Sequence, residues 1–246
     1  MKLKIKLGMF VLASLVFMVA CSSSDDTENY WYSYGTYLDS DLSDEGFIMK
    51  MDNGDTLIPV SVDYIQEGIV DGSRVIPIYS IVSEEGNRIN VKISKIEAIL
   101  TKSIIQLTEE IADSIGNDPV TVWDGNVWFS ENHLNVIFSY LGSNKVHSIN
   151  LVKPIGAQFD EEGRQILELR HNDNGDYNNI QYTGIVSFDM SSLYQDGMDT
   201  LAVLFKSHDY YAEDFTWEGT FVFNPEDFTG RAAEPGEPIQ FVKNIK

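Results

Sequence analysis

From Phe47 to Phe223 the chain is written in short runs of apolar and polar residues, each closed within a few positions by Gly, Asn, Asp or Pro. A period of two puts alternate side chains on opposite faces of an extended strand, so the pattern points to β-structure and away from a helical bundle. Phe47, Met49 and Met51 share one face, Asp52-Asn53-Gly54-Asp55 follows, and Leu57–Val62 resumes the run. Asn-Gly between two apolar runs is a strong hairpin signal, because both residues tolerate positive φ. Arg74–Val82 is apolar on both parities and reads as a central strand, Ser83–Asn87 turns the chain, and Ile89–Ile99 alternates again. Tyr30–Tyr37 is aromatic-rich and is expected as a first strand, the alternative being an exposed sticky patch. Together these runs suffice for a small barrel.

Leu107–Ile115 is the one convincing helical stretch. Thr108 is placed to cap it, Glu109 and Glu110 fall in its first turn, and Gly116 and Pro119 stop it. It reads as a linker between two β units. Beyond it, Val120–Trp123, Asn126–Phe129, Leu134–Leu141, His147–Val152, Ile166–His171, Ile185–Met190, Leu201–Phe205 and Phe215–Phe223 read as the strands of a sandwich. Arg231–Lys246 is expected to be a loose tail with a weak strand at Ile239–Val242.

The N-terminus carries an address. Lys2, Lys4 and Lys6 precede an apolar run over Leu7–Val19 that is shorter than the roughly 20 residues of a membrane-spanning helix, so it reads as a signal peptide. It closes on Met18-Val19-Ala20-Cys21, which resembles a bacterial lipobox, with Met18 standing where leucine is commonest. That motif implies cleavage before Cys21 and acylation of its thiol and amino terminus. Several acyl chains anchor a protein firmly, at about 0.8 kcal/mol per buried CH₂. Ser22–Glu28 is small and then acidic, which suits a flexible tether and resembles the acidic surface-export signal of some bacterial lipoproteins. The expected location is therefore the outer membrane, lipid-anchored and surface-exposed, with a plain periplasmic tether as the alternative.

The chain has 17 basic and 38 acidic residues. Without the three leader lysines, 14 basic residues face 38 acidic ones, a formal charge of −24 for the mature chain. Such a field repels nucleic acid and anionic headgroups. Cys21 is the only cysteine, so once it is acylated no thiol remains for a disulfide, a zinc–thiolate site or a cysteine nucleophile.

Several segments, taken in order, are similar to the NigD-like lipoproteins of Bacteroidetes. They are the Asn53-Gly54 hairpin, Ile99-Leu100-Thr101-Lys102, Ile115-Gly116-Asn117-Asp118-Pro119, His133–Phe138, His147–Val152, and Leu167–Asn172 followed by Gly175-Asp176. The resemblance spans about Tyr34 to Phe223. It implies an OB-like N-terminal barrel and a C-terminal β-sandwich. The family is named from a bacteriocin-associated operon and supplies no catalytic residues to carry over. The expected fold is all-β: a small OB-like barrel, then an antiparallel β-sandwich, joined by one short helix. The expected divisions are a signal peptide at 1–20, a tether at 21–32, the barrel at 33–105, a helical linker at 106–118, the sandwich at 119–228 and a tail at 229–246.

Among candidate site residues, His147 shares parity with Ile149 and Leu151, and His171 with Leu167 and Leu169, so both imidazoles should point to the apolar side of their strands. If the strands are neighbours, the histidines lie together with Asp173 and Asp176 just beyond, as a metal or acid–base site or as hydrogen-bonded plugs of the sandwich end. No spaced ligand motif such as HExxH supports a metal, so none is assigned, and no cofactor is expected. Asp173-Asn174-Gly175-Asp176 lacks the alternating oxygen ligands of a calcium loop, and no Gly-x-Ser-x-Gly elbow is present. Trp123, Trp128, Tyr210, Tyr211 and Trp217 could stack on sugar rings, and Trp123 and Trp128, which flank the turn Asp124-Gly125, are the candidate ligand contacts, since exposed aromatics on loops mark recognition sites. Trp217 alternates with Phe215 and Phe221 and reads as core. The sequence thus points to a non-catalytic, lipid-anchored envelope protein that binds a protein or glycan and no nucleic acid. An immunity-type protein and a surface glycan binder are its alternatives.

Overall fold

In the computed structural model the described residues are 29–210 and 214–223. The expectations at Cys21, along the tether to Glu28, at Tyr211 and in the tail with Ile239–Val242 lie outside them.

The first sheet holds β1 (Trp31–Tyr32), β2 (Gly35–Asp39), β3 (Phe47–Met51), β4 (Thr56–Val62), β5 (Arg74–Glu85) and β6 (Arg88–Ala98). β2 pairs with β3 and β5, β3 with β4, β4 in parallel with β6, and β6 back with β5. The five strands β2–β6 therefore close into an OB-like Greek-key barrel. The Asn53-Gly54 turn forms where the sequence places it: Gly54 has φ 93° and the Asn53 side chain accepts the Asp55 N–H at 3.0 Å. Met49, Leu57, Val75, Val91 and Ile96 are fully buried within the barrel. The aromatic N-terminal run divides in two. Tyr37 enters the barrel in β2, whereas β1 hangs on the edge of β5 with Trp31 and Tyr32 exposed.

The chain crosses into the sandwich at Leu100. β7 (Leu100–Ser103), β13 (Ile180–Asp189), β10 (His133–Gly142) and β9 (Val127–Ser130) form one sheet in that spatial order. β15 (Phe215–Val222), β14 (Thr200–Ser207), β12 (Gln165–Asn172), β11 (Ser148–Lys153) and β8 (Ile105–Gln106) form the other. Their inner faces bury Leu134, Val136, Phe138, Ile149, Leu151, Leu167, Val186, Phe188, Val203 and Phe205 between them.

Three details differ from the sequence reading. Both sheets are mixed, since β7 lies parallel to β13, β8 to β11 and β12 to β14. The helix α1 is only Ala112–Ile115, and no side chain caps it. Thr108 serves through its backbone carbonyl, which accepts from Ile111 and Ala112, because the residues before it are drawn into the sheet: Leu107 N–H bonds to the carbonyl of Lys153. Docked against β11 and β12, α1 rests on a close approach at Gly116, whose φ is +76° and where a Cβ would stand 2.7 Å from the His171 carbonyl oxygen. Finally, Val120–Trp123 contributes one bridge, Thr121 to Ser139, and no strand.

Candidate functional site

The structure brings three of the four predicted polar residues together. His147 opens into β11 and His171 lies in β12, where the register sets Ile149 opposite His171. His147 Nδ1 is 2.9 Å from His171 Nε2, and His147 Nε2 is 3.1 Å from Asp176 Oδ2. A carboxylate only accepts, so His147 carries a proton on Nε2 toward Asp176, and in the singly protonated ring Nδ1 is then the acceptor for His171 Nε2–H. Gly142 makes room for this chain: a Cβ there would sit 2.9 Å from His147 Cε1. Both imidazoles and the Asp176 carboxyl are buried under Tyr140, whose ring lies 5.0 Å from that of His147.

The electrostatics make this a structural relay. Burial lowers the pKa of His171 to about 4, helped by His147, so it is neutral near pH 7. Burial opposes the Asp176 charge, but N–H groups of Ser143, Tyr177 and Lys145 together with His147 outweigh it and hold the carboxyl below its ordinary range. Asp173 faces elsewhere, its Oδ1 accepting the Gly175 N–H at 2.6 Å. The ammonium of Lys145 lies 2.8 Å from the carbonyls of Asn174 and Gly175, oxygens that a cation bound in this turn would need. Among the described residues no group of three or more His, Cys, Asp or Glu is arranged to hold a metal ion. Enclosed on all sides, the relay offers no surface to a substrate.

Trp128 belongs to a different constellation, one that the sequence did not announce. Arg74, wholly buried, makes a two-point pair with Asp52 at 2.8 and 2.6 Å, and Trp128 Nε1 donates to the same Asp52 at 2.8 Å. Across the seam, Arg74 reaches Asn135 Oδ1 at 3.1 Å, and Ser187 Oγ donates to that oxygen at 2.6 Å. Trp128 also leans on Tyr34, ring centroids 5.5 Å apart. Its indole is therefore committed to joining barrel and sandwich. Trp217, read as core, is partly buried and meets Phe129 edge-on at 5.2 Å.

Trp123 is different. It remains 48% exposed at the wall of a cleft of about 520 Å³ beside β10, where the Val120–Trp123 segment lies between Ser139 and His208. Thr121, Ser139, Gln181, Asp209 and Tyr210 line the rest of that cleft together with Val122, Tyr140 and Leu141. The Tyr210 hydroxyl accepts the Leu141 N–H at 3.1 Å, which fixes the phenol against β10. An exposed indole beside fixed polar groups is the arrangement that holds a ring with one apolar face and hydroxyls at its edge. Tyr210, one of the aromatics the sequence offers for stacking, thus joins Trp123, whereas Gln181 carries no signal in the sequence, because only the pairing of β13 with β10 brings it there.

Comparison with known proteins agrees with this architecture. Residues 103–220 match the family model of the NigD-like C-terminal beta sandwich domain. A Parabacteroides distasonis ATCC 8503 structure described as a "Putative TOXIN related protein" is similar at 26% identity and TM-score 0.63, over 79% of this chain and 94% of that one. A protein of unknown function from Bacteroides vulgatus ATCC 8482 is similar at 24% identity and TM-score 0.63, over 81% and 98%. A NigD-like immunity protein from Bacteroides caccae ATCC 43185 shares the fold at 17% identity and TM-score 0.58, over 80% and 98%. No curated protein matches the chain.

Proposed function

This chain belongs to the NigD-like family, and from that premise we propose that it is a non-catalytic, lipid-anchored binding protein of the bacterial envelope, with the Trp123 cleft as its ligand site. The observation that carries the reading is Trp123 itself, a large apolar ring left half in water at the wall of a cleft lined by both polar and apolar groups. A sugar ring suits it: the indole stacks on the C–H face, while Gln181, Asp209 and Tyr210 meet the hydroxyls. The buried relay and the committed Trp128 support a binding role over catalysis, since neither presents a reactive group to solvent. Anchorage rests on the lipobox-like Met18–Cys21, and the acidic tether supports the outer face of the outer membrane.

Titrating purified mature protein with a panel of neutral oligosaccharides, while following tryptophan emission, tests the reading. Saturable change with at least one saccharide, weakened tenfold or more in Trp123→Ala and unchanged in Trp128→Phe, is the expected result. Equal binding by Trp123→Ala sinks the cleft assignment. An immunity-type role, the description borne by the Bacteroides caccae neighbour, would instead show as no saccharide response and capture of a secreted protein toxin. Labelled palmitate carried by the native protein and absent from Cys21→Ala checks the anchor, and protease shaving of intact cells checks the face.

A further inference from the structure

We infer that the edge arm Tyr30-Trp31-Tyr32, with Ile81 and Val82 beside it, is a bilayer-facing patch that seats the barrel in the headgroup layer of the membrane holding the anchor. The inference rests on the reading of Cys21 as the acylated residue. Tyr30, Trp31 and Tyr32 are 58%, 53% and 69% exposed, an unusual concentration of aromatic surface for three consecutive residues. Trp31 lies opposite Tyr79 on β5, which sets it diagonally against exposed Ile81. With Asn29, Ser80, Val82 and Lys92 they line a shallow cleft of about 400 Å³.

The occupant follows from chain length and chemistry. Asn29, which lines the cleft, is eight residues from Cys21, and eight residues span at most about 28 Å when fully extended. The arm therefore cannot leave the neighbourhood of an acylated Cys21, whatever path the tether takes. Tryptophan and tyrosine favour the interfacial layer, where an apolar ring and a polar tip are both satisfied. Depth is set by the backbone: among the described residues β1 pairs with β5 alone, so its outer edge needs the water and headgroups that the hydrocarbon core lacks. Charge selects the lipid. With −24 on the mature chain, including Asp25, Asp26 and Glu28 just before the arm in sequence, a zwitterionic surface is favoured over an anionic one.

The test uses the full acylated protein reconstituted into phosphatidylcholine vesicles that carry a nitroxide at a shallow or a deep acyl position. Flotation first reports the anchor: native protein floats and Cys21→Ala does not. In the floated native protein the shallow nitroxide should quench part of the tryptophan emission, more than the deep one. That component should vanish in Trp31→Phe and fall at least twofold in Tyr30→Ser/Tyr32→Ser, which keeps Trp31 as reporter. Adding anionic lipid should reduce it. Floated protein with no shallow quenching, or with the same quenching in Trp31→Phe, overturns the patch while leaving the anchor standing. Native protein that does not float overturns both. A dimer by light scattering with Trp31 unquenched assigns the arm to a second copy and also overturns the inference.

Discussion

Arg74 Nη2, in the barrel, stands 3.1 Å from Asn135 Oδ1, in the sandwich, and the same guanidinium is paired with Asp52 at 2.6 Å. One buried cation thus ties two hydrophobic cores that share no strand. Arg74→Met removes the cation and leaves the Asp52 carboxylate, only slightly exposed, with the Trp128 N–H alone. Losing one partner of a buried pair costs about 3–5 kcal/mol. Urea unfolding of Arg74→Met should show that loss and separate barrel and sandwich transitions where the native protein shows one. Arg74→Met/Asp52→Leu should recover part of it, because no unpaired charge remains.

Two tryptophans five residues apart should answer substitution differently. Trp128→Phe keeps a ring against Tyr34 but removes the N–H that Asp52 accepts, which leaves a largely buried acceptor short of one donor. The expected cost is about 1–2 kcal/mol. Trp123→Phe, at an exposed position, should change stability by less than about 0.5 kcal/mol. Thermal melts of the two variants side by side measure the contrast.

Much of the architecture was legible because its signals are local. The Asn53-Gly54 turn, the alternation of Phe47, Met49 and Met51, and the inward parity of His147 and His171 each follow from neighbours in sequence. What the sequence hid is non-local. Arg74 looked like the first residue of an ordinary strand, and its partners Asp52, Asn135 and Ser187 lie 22, 61 and 113 positions away. Lys102 is similar: it looks like a solvated charge, yet its ammonium bonds the Ile149 carbonyl at 2.8 Å and burial lowers its pKa to about 8. The sequence suggests a longer helix than Ala112–Ile115 because Thr108, Glu109 and Glu110 make a good local start, whereas pairing of Ile105–Gln106 with β11 claims the residues just before them. Tertiary pairing outweighed local propensity there.

Gly142 should tolerate no larger residue. A methyl group added there meets His147 Cε1 at 2.9 Å, Nε2 at 3.0 Å and Asp176 Oδ2 at 3.3 Å, all fixed in the relay. Gly142→Ala must push the imidazole off its carboxylate or move β10, with a cost of about 1–3 kcal/mol. Chemical denaturation measures the cost. The His147 ring resonances in NMR should shift while those of His208, hydrogen-bonded to Asp214 elsewhere, stay in place.

The relay also makes stability depend on acid through His171. Among the described residues its Nδ1 is buried with no hydrogen-bond partner, and its Nε2–H serves His147, so a second proton would put a poorly solvated charge inside the sandwich. Its folded pKa, about 4, lies below the ordinary 6.5, with burial the main cause and His147 the next, while Asp118 and Asp173 pull the other way. Between those values the unfolded chain binds the proton and the folded chain does not. Stability from this group is therefore complete above pH 6.5 and is lost as pH falls toward 4, by ~3 kcal/mol over the whole interval. Urea midpoints should fall between pH 6.5 and pH 4.5, and His171→Gln, which keeps a donor toward His147 but does not titrate, should flatten that fall. If the fall persists unchanged in His171→Gln, the acid sensitivity lies with other groups and the histidine is already charged in the folded protein.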